Sequence, residues 1–123
     1  MNSKKILVVD DEVDLVKTLR FSLETEGYTV LASYNGEDAL NQARKENPDL
    51  VLLDIMLPKL DGYKVCRLLK FDERYKHIPI LMLSAKTQEK DKIIGMETGA
   101  DEYITKPFDM DELIEKIKAY LKE

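Results

Sequence analysis

Five side chains that could do chemistry each follow a short apolar stretch of this 123-residue sequence. They are Asp10, Asp11, Asp54, Ser84 and Lys106. Short apolar runs are typical of strands buried in a parallel sheet. The carboxyl ends of such strands meet at one edge of the sheet, where binding sites form. Three carboxylates at that edge could hold a cation, so the pattern predicts one polar site built from residues that are distant in sequence.

Each of these residues also has an ordinary structural explanation. Asp54 could simply end a strand or cap a helix, and Asp10 and Asp11 could be acids at a helix N-terminus. Ser84 could be an N-cap, and Lys106 could be a solvated surface charge. Five such coincidences at a single edge of the sheet are improbable, and the pattern therefore favours a functional site.

The elements that must position these residues alternate between strands and helices. Strands are predicted at about 5–9, 28–33, 50–54, 80–83 and 102–105. Helices are predicted at about 13–26, 35–47, 63–72, 86–98 and 109–121, with Asn35 and Asp109 as N-caps. Short loops between them imply a parallel sheet covered by helices on both faces. We therefore predict one α/β domain over residues 1–123, with no effector domain.

Composition and charge exclude several classes of function. The net charge of −5 disfavours nucleic-acid binding by this domain, because phosphate contacts need clustered Lys and Arg. No apolar run is long enough to span a membrane, and Met1–Lys5 leads into a strand rather than an apolar signal region. The single cysteine, Cys66, cannot form an internal disulfide and fits a reducing compartment. We therefore predict a cytoplasmic protein without membrane contact.

Four motifs resemble those of the receiver domain of two-component response regulators. In chain order they are Val8–Glu12, Leu53–Pro58 with Asp61–Gly62, Leu83–Ala85 and Gly99–Phe108. The resemblance covers the whole chain, and its pattern is most similar to receivers of the winged-helix transcription-factor subfamily. It implies a flavodoxin-like (βα)5 three-layer sandwich, whose parallel five-stranded sheet has the strand order 2-1-3-4-5.

The resemblance also implies roles for the acids. Asp54 is expected to be the phosphoacceptor, taking a phosphoryl group from a phosphohistidine on a sensor histidine kinase. Asp11, Asp54 and the backbone carbonyl of Met56 are expected to bind Mg²⁺, with Asp10 acting on the ion mainly through water. The implied protein is a signalling switch rather than an enzyme, and it assists only its own phosphorylation and dephosphorylation.

The hydroxyl and the amine of the predicted site complete the implied mechanism. Lys106 is expected to neutralise one phosphoryl oxygen, and Ser84 to donate a hydrogen bond to another. In the family the peptide bond between Lys106 and Pro107 is cis. Ser84 and Tyr103 form the implied switch pair, because movement of Ser84 towards the phosphoryl group leaves space into which Tyr103 turns. The alternative is that Tyr103 is an edge residue without a switching role.

Two neighbours of the implied site are expected to set the phosphoryl lifetime. Met56 lies two residues beyond Asp54, and Lys86 lies two residues beyond Ser84. An apolar Met56 offers no group that could orient an attacking water, and Lys86 is long and cationic. The resemblance therefore implies slow self-dephosphorylation.

Helix four, strand five and helix five are expected to form the output face, and possible phosphorylation-dependent homodimers would use it. This surface has mixed charges: Lys92, Glu97, Asp101, Glu112, Lys116 and Lys118. Lys92 and Lys116 stand where the subfamily usually has arginine, and lysine cannot form the bidentate contacts of arginine that tight dimerisation would use. An ordinary solvated face is the alternative. The other implied partners are a downstream effector domain or protein and the kinase, which is expected to dock near Val13, Leu15 and Phe108.

Two other classes of protein share parts of this pattern. A Mg²⁺-dependent phosphatase with an aspartyl nucleophile usually has a second acid two residues later, where this chain has Met56. A flavin-binding electron carrier of the same topology needs a loop after strand one that holds a phosphate. The acidic Asp10–Glu12 would repel that phosphate. The receiver interpretation is therefore favoured.

Overall fold

Five strands and five helices alternate along the chain in a computed structural model that describes residues 3–122. The strands are β1 (Lys5–Val9), β2 (Thr29–Ser33), β3 (Leu50–Asp54), β4 (Ile80–Ser84) and β5 (Glu102–Thr105). The helices are α1 (Val13–Thr25), α2 (Gly36–Glu46), α3 (Gly62–Lys70), α4 (Glu89–Glu97) and α5 (Met110–Leu121). All strand pairs are parallel, and the strand order β2-β1-β3-β4-β5 confirms the predicted topology.

The sheet is the middle layer of a three-layer sandwich because alternate strand residues point to opposite faces. On β3, Val51 and Leu53 pack with α2 and α3, whereas Leu50 and Leu52 pack with α1 and α5. All five residues of β3 are buried, as expected for a central strand covered on both faces. The predicted (βα)5 three-layer fold is therefore confirmed.

The helix termini follow the local sequence. Asn35 Oδ1 accepts a hydrogen bond from the Asp38 amide at 2.8 Å, and Asp109 Oδ1 accepts one from the Glu112 amide at 3.1 Å. These contacts confirm the two predicted N-caps. Helix α3 ends at Lys70, earlier than predicted, because Asp72 Oδ1 accepts the Arg74 amide at 2.9 Å in a local turn.

Helix α4 begins later than predicted. Its first residue is Glu89, and Gln88 at the N-cap makes no side-chain cap hydrogen bond. Lys86 stays in the loop, where its amide donates to Ser84 Oγ at 3.1 Å. Within residues 3–122, the helices are too short or too polar to cross a membrane.

Candidate functional site

The strand ends bring the predicted site residues to one edge of the sheet. Asp54 and Ser84 are the last residues of β3 and β4, Asp10 directly follows β1, and Lys106 directly follows β5. The register fixes this alignment, since Asp54 lies opposite Leu83 and Ser84 lies opposite Thr105. The convergence predicted from the sequence is therefore present in the fold.

Three acids form a cluster at this edge. One carboxylate oxygen each from Asp10, Asp11 and Asp54 lies within 4.8 Å of the other two. Asp10 and Asp54 are only 2% and 6% exposed, whereas Asp11 is exposed to solvent. Hard carboxylate oxygens around a partly open position suit a divalent cation that retains several waters. The donor set therefore fits Mg²⁺.

Lys106 supplies the positive charge at the cluster. Its Nζ lies 2.7 Å from Asp10 Oδ2, 3.5 Å from Glu12 Oε1 and 3.8 Å from Asp54 Oδ2. The Lys106 amide also donates to the Ser84 carbonyl at 2.8 Å, and the Lys106–Pro107 peptide is cis. The lysine side chain therefore contacts the acids at the ends of β1 and β3, while its backbone amide is hydrogen-bonded to β4.

The charges of the site are unbalanced, and the pKa of Asp54 reflects this. Burial and the charge of Asp10 raise the pKa of Asp54 to about 6, although Lys106 and the Ile55 amide oppose the shift. Burial lowers the pKa of Lys106, but its hydrogen bond to Asp10 and the charge of Asp54 outweigh burial, so the net shift is upward. One lysine therefore does not fully compensate the clustered carboxylates.

Gly62 shapes the loop that leaves β3, a role that sequence reasoning missed. Its amide donates to the Ile55 carbonyl at 2.8 Å, and a Cβ at Gly62 would overlap the Asp54 carbonyl oxygen. The Ile55 amide donates in turn to Asp54 Oδ1 at 2.8 Å. The pair Asp61–Gly62 was the available signal, since Asp61 caps α3 and glycine allows α3 to approach β3.

The predicted switch pair is also brought together. Ser84 is fully buried, and its Oγ accepts the Lys86 amide. The Tyr103 hydroxyl donates to the Lys86 carbonyl at 2.8 Å, and burial raises the pKa of Tyr103. Met56, two residues beyond Asp54, is by contrast 61% exposed.

The comparisons with known proteins agree with this geometry. The family model of the response regulator receiver domain matches residues 6–118. The chain therefore belongs to the response regulator receiver domain family, a signalling module of two-component systems rather than a conventional enzyme.

Individual relatives make the match more specific. The chain is 51% identical over 120 residues to the alkaline phosphatase synthesis transcriptional regulatory protein PhoP of Bacillus subtilis (strain 168); the match covers 98% of this chain and 49% of that protein. The chain thus spans about half the length of this curated relative. A regulator of transcription among the relatives agrees with the resemblance to receivers of the winged-helix subfamily.

Solved structures of receivers share the fold closely. A proposed response regulator from Chloroflexus aurantiacus J-10-fl is 37% identical with a TM-score of 0.92, over 99% of this chain and 100% of that one. The BeF3-activated DrrB receiver domain is 34% identical with a TM-score of 0.90, over 99% and 100% of the two chains.

The raised pKa of Asp54 predicts that this carboxylate costs stability. Asp54→Asn should raise the free energy of unfolding at about pH 8, without divalent metal, by about 1–2 kcal/mol, allowing for solvent screening. Because the pKa is raised from 3.8 to about 6, the difference should shrink as the pH falls through about 6. Urea unfolding across this pH range measures it.

Glu115→Gln is the matched control, since Glu115 is an exposed acid in the middle of α5. This control should change the unfolding free energy by less than about 0.5 kcal/mol at every pH. An Asp54→Asn variant that is less stable than the wild type at about pH 8 would contradict the proposed charge imbalance.

Proposed function

We propose that this domain accepts a phosphoryl group on Asp54 in a Mg²⁺-dependent reaction and signals through the surface of α4, β5 and α5. The observation that carries this proposal is a nearly buried carboxylate that faces two further acids and one lysine, in a member of the receiver family. Over residues 1–123 the chain would act as a single phosphoacceptor domain, cytoplasmic and without direct nucleic-acid contact.

The proposed reaction is a transfer from nitrogen to oxygen. A carboxylate oxygen of Asp54 attacks the phosphorus of a phosphohistidine on a sensor histidine kinase, and a P–O bond forms while the P–N bond breaks. The electron pair of that bond returns to the ring nitrogen, and the imidazole leaves as a neutral ring because its other nitrogen already carries a proton in the phosphohistidine donor. Lys106 offsets charge on one phosphoryl oxygen, and Ser84 donates a hydrogen bond to another.

The acid cluster would hold the metal. Asp11, Asp54 and the carbonyl of Met56 would bind Mg²⁺ directly. Asp10 would act mainly through water, and its existing contacts with Lys106 and with the Glu12 amide (2.9 Å) support this outer position. When bound, Mg²⁺ reduces the repulsion between the anionic acceptor and the anionic donor.

Phosphoryl uptake by this domain tests the proposal. Incubation with acetyl phosphate and Mg²⁺ should add one phosphoryl group by intact mass, and Asp54→Ala or chelation should reduce the uptake by about 100-fold or more. The control is Asp49→Ala, because Asp49 directly precedes β3 and so lies at the end of the strand opposite to Asp54. Asp49→Ala should label like the wild type, and labelling that persists in Asp54→Ala would contradict the assignment.

The side chain two residues beyond the acceptor supports a long phosphoryl lifetime. Met56 is exposed beside Asp54 and carries no group that could orient water. We expect the phosphoryl group to persist for much longer than seconds. Met56→Asn should shorten the lifetime by about tenfold or more, since an amide can position the attacking water.

Met96→Asn is the control for this prediction, because Met96 is another exposed methionine, on α4. Decay of the phosphorylated mass with time measures the lifetime of each variant. A wild-type lifetime of seconds, or an equal effect of the two substitutions, would contradict the role of Met56.

The proposed output face combines exposed apolar residues with paired charges. Ile93, Ile94 and Met96 on α4 are 51%, 43% and 47% exposed. Lys116 pairs with Glu102 at 3.7 Å, whereas Asp101 pairs inward with Lys70 at 3.0 Å. An apolar patch of this kind supports docking of a second copy or of an effector.

Phosphorylation-dependent self-association tests this surface. BeF3− with Mg²⁺ should raise the dimer fraction in analytical ultracentrifugation, and Ile93→Lys should weaken that association by about tenfold. Phe21→Lys is the control, because Phe21 is 74% exposed on α1. Equal losses in the two variants would place the interface elsewhere.

The partners follow from the same proposal. The sensor kinase would dock near Val13, which is 49% exposed on α1, and near the loop that follows β5. Because the curated relative is about twice as long and is a transcriptional regulator, we infer that the signal passes to an effector domain or protein that controls transcription.

A further inference from the structure

Gly95 is the buried residue of α4, in a helix whose neighbouring apolar side chains point outward. A Cβ built at Gly95 would lie 2.8 Å from Tyr103 Cδ2 and 3.1 Å from Met82 Sδ. Distances below 3.0 Å require something to move. The aromatic ring of Tyr103 therefore occupies space that exists because residue 95 has no side chain.

A glycine inside a helix weakens that helix relative to alanine, because glycine loses more backbone freedom on folding. Helix α4 also lacks the stabilisation of an N-terminal cap, since Gln88 at the N-cap makes no side-chain cap hydrogen bond. On an exposed face of the helix, no tertiary contact would offset the stability that glycine costs. At Gly95 the compensation is the close contact between the helix and Tyr103.

The Tyr103 ring connects two parts of the segment that follows β4. Its Cδ2 and Cε2 atoms lie against α4 at Gly95, and its hydroxyl donates to the Lys86 carbonyl at 2.8 Å in the loop before α4. The Lys86 amide donates in turn to Ser84 Oγ. An outward rotation of the ring would therefore remove the Gly95 contact and the Lys86 hydrogen bond together.

We propose that Gly95 is a positioning residue of the switch: its missing side chain forms the seat that holds the Tyr103 ring inward and couples ring rotation to the position of α4. This inference rests on the proposed switching role of Tyr103. It adds a residue that touches neither the acid cluster nor the phosphoryl group.

The nature of the contact determines what a substitution does. The atoms nearest to the absent Cβ belong to the side chains of Tyr103 and Met82 rather than to the backbone. A side chain can rotate, and Tyr103 is half-buried near the surface. Gly95→Ala should therefore displace the ring rather than prevent folding.

The test uses protein labelled with 3-fluorotyrosine and observed by ¹⁹F NMR. The sequence has six tyrosines, and Tyr103→Phe identifies the Tyr103 resonance. In the protein bound to BeF3− and Mg²⁺, the state in which the proposed switch turns the ring inward, Gly95→Ala should move that resonance towards the value of an exposed tyrosine. Lys90→Ala is the control, since it alters an exposed residue of the same helix, and it should leave the resonance in place. An unchanged resonance in Gly95→Ala would overturn the proposal.

A second measurement distinguishes an effect of Gly95→Ala through the Tyr103 ring from a general effect of the substitution on α4. Gly95→Ala should change the BeF3−-dependent association by about fivefold or more, and this effect should disappear in a Tyr103→Ala background. An equal effect of Gly95→Ala in both backgrounds would overturn the proposal.

The switching role of Tyr103 is tested independently. If BeF3− does not shift the Tyr103 resonance of the wild type, the switching role fails, and the coupling proposed for Gly95 fails with it. If BeF3− does shift the resonance but Gly95→Ala leaves it unmoved, only the seat is wrong.

Discussion

The desolvated charge on Asp54 is the constraint on which the rest of the structure depends. A carboxylate that is 6% exposed and lies near Asp10 is unfavourable, and its pKa of about 6 expresses that cost. Lys106 offsets only part of it from 3.8 Å. Groups held in this way have a high affinity for added positive charge. The same imbalance that reduces stability would therefore favour the binding of a cation and the proposed phosphoryl transfer.

The parallel sheet makes this arrangement possible, because it brings the ends of β1, β3, β4 and β5 to one edge. Aliphatic residues buried on both faces of β3 fix the backbone of Asp54. Gly62 allows the following loop to fold against the strand without a clash. From Ser84, hydrogen bonds through Lys86 lead to Tyr103, and Tyr103 contacts α4. Ser84, at the same edge of the sheet as the acid cluster, and the proposed output surface are thus joined by a short series of contacts.

The apolar runs and strand-end acids were sufficient to predict a parallel α/β sheet and the convergence of Asp54 with Lys106, whereas the strand order was predicted from the resemblance to receiver domains. Such patterns are local in sequence, and the rules of parallel sheets convert them into a site. The roles of Gly62 and Gly95 could not be predicted, since they depend on which backbone or ring fills the space of an absent Cβ. Asp101 was assigned to the output face but pairs with Lys70, a partner set by tertiary packing. The later start of α4 likewise reflects the loop hydrogen bond to Ser84.

A divalent cation should relieve the excess of negative charge that the acid cluster carries. Calorimetric titration of Mg²⁺ into the wild type and Asp54→Asn at about pH 7.5 tests it most directly. The charge imbalance predicts one ion per chain, with an affinity that falls by about tenfold or more in the variant. Equal affinity in the two proteins, or the absence of binding to the wild type at millimolar Mg²⁺, would contradict it.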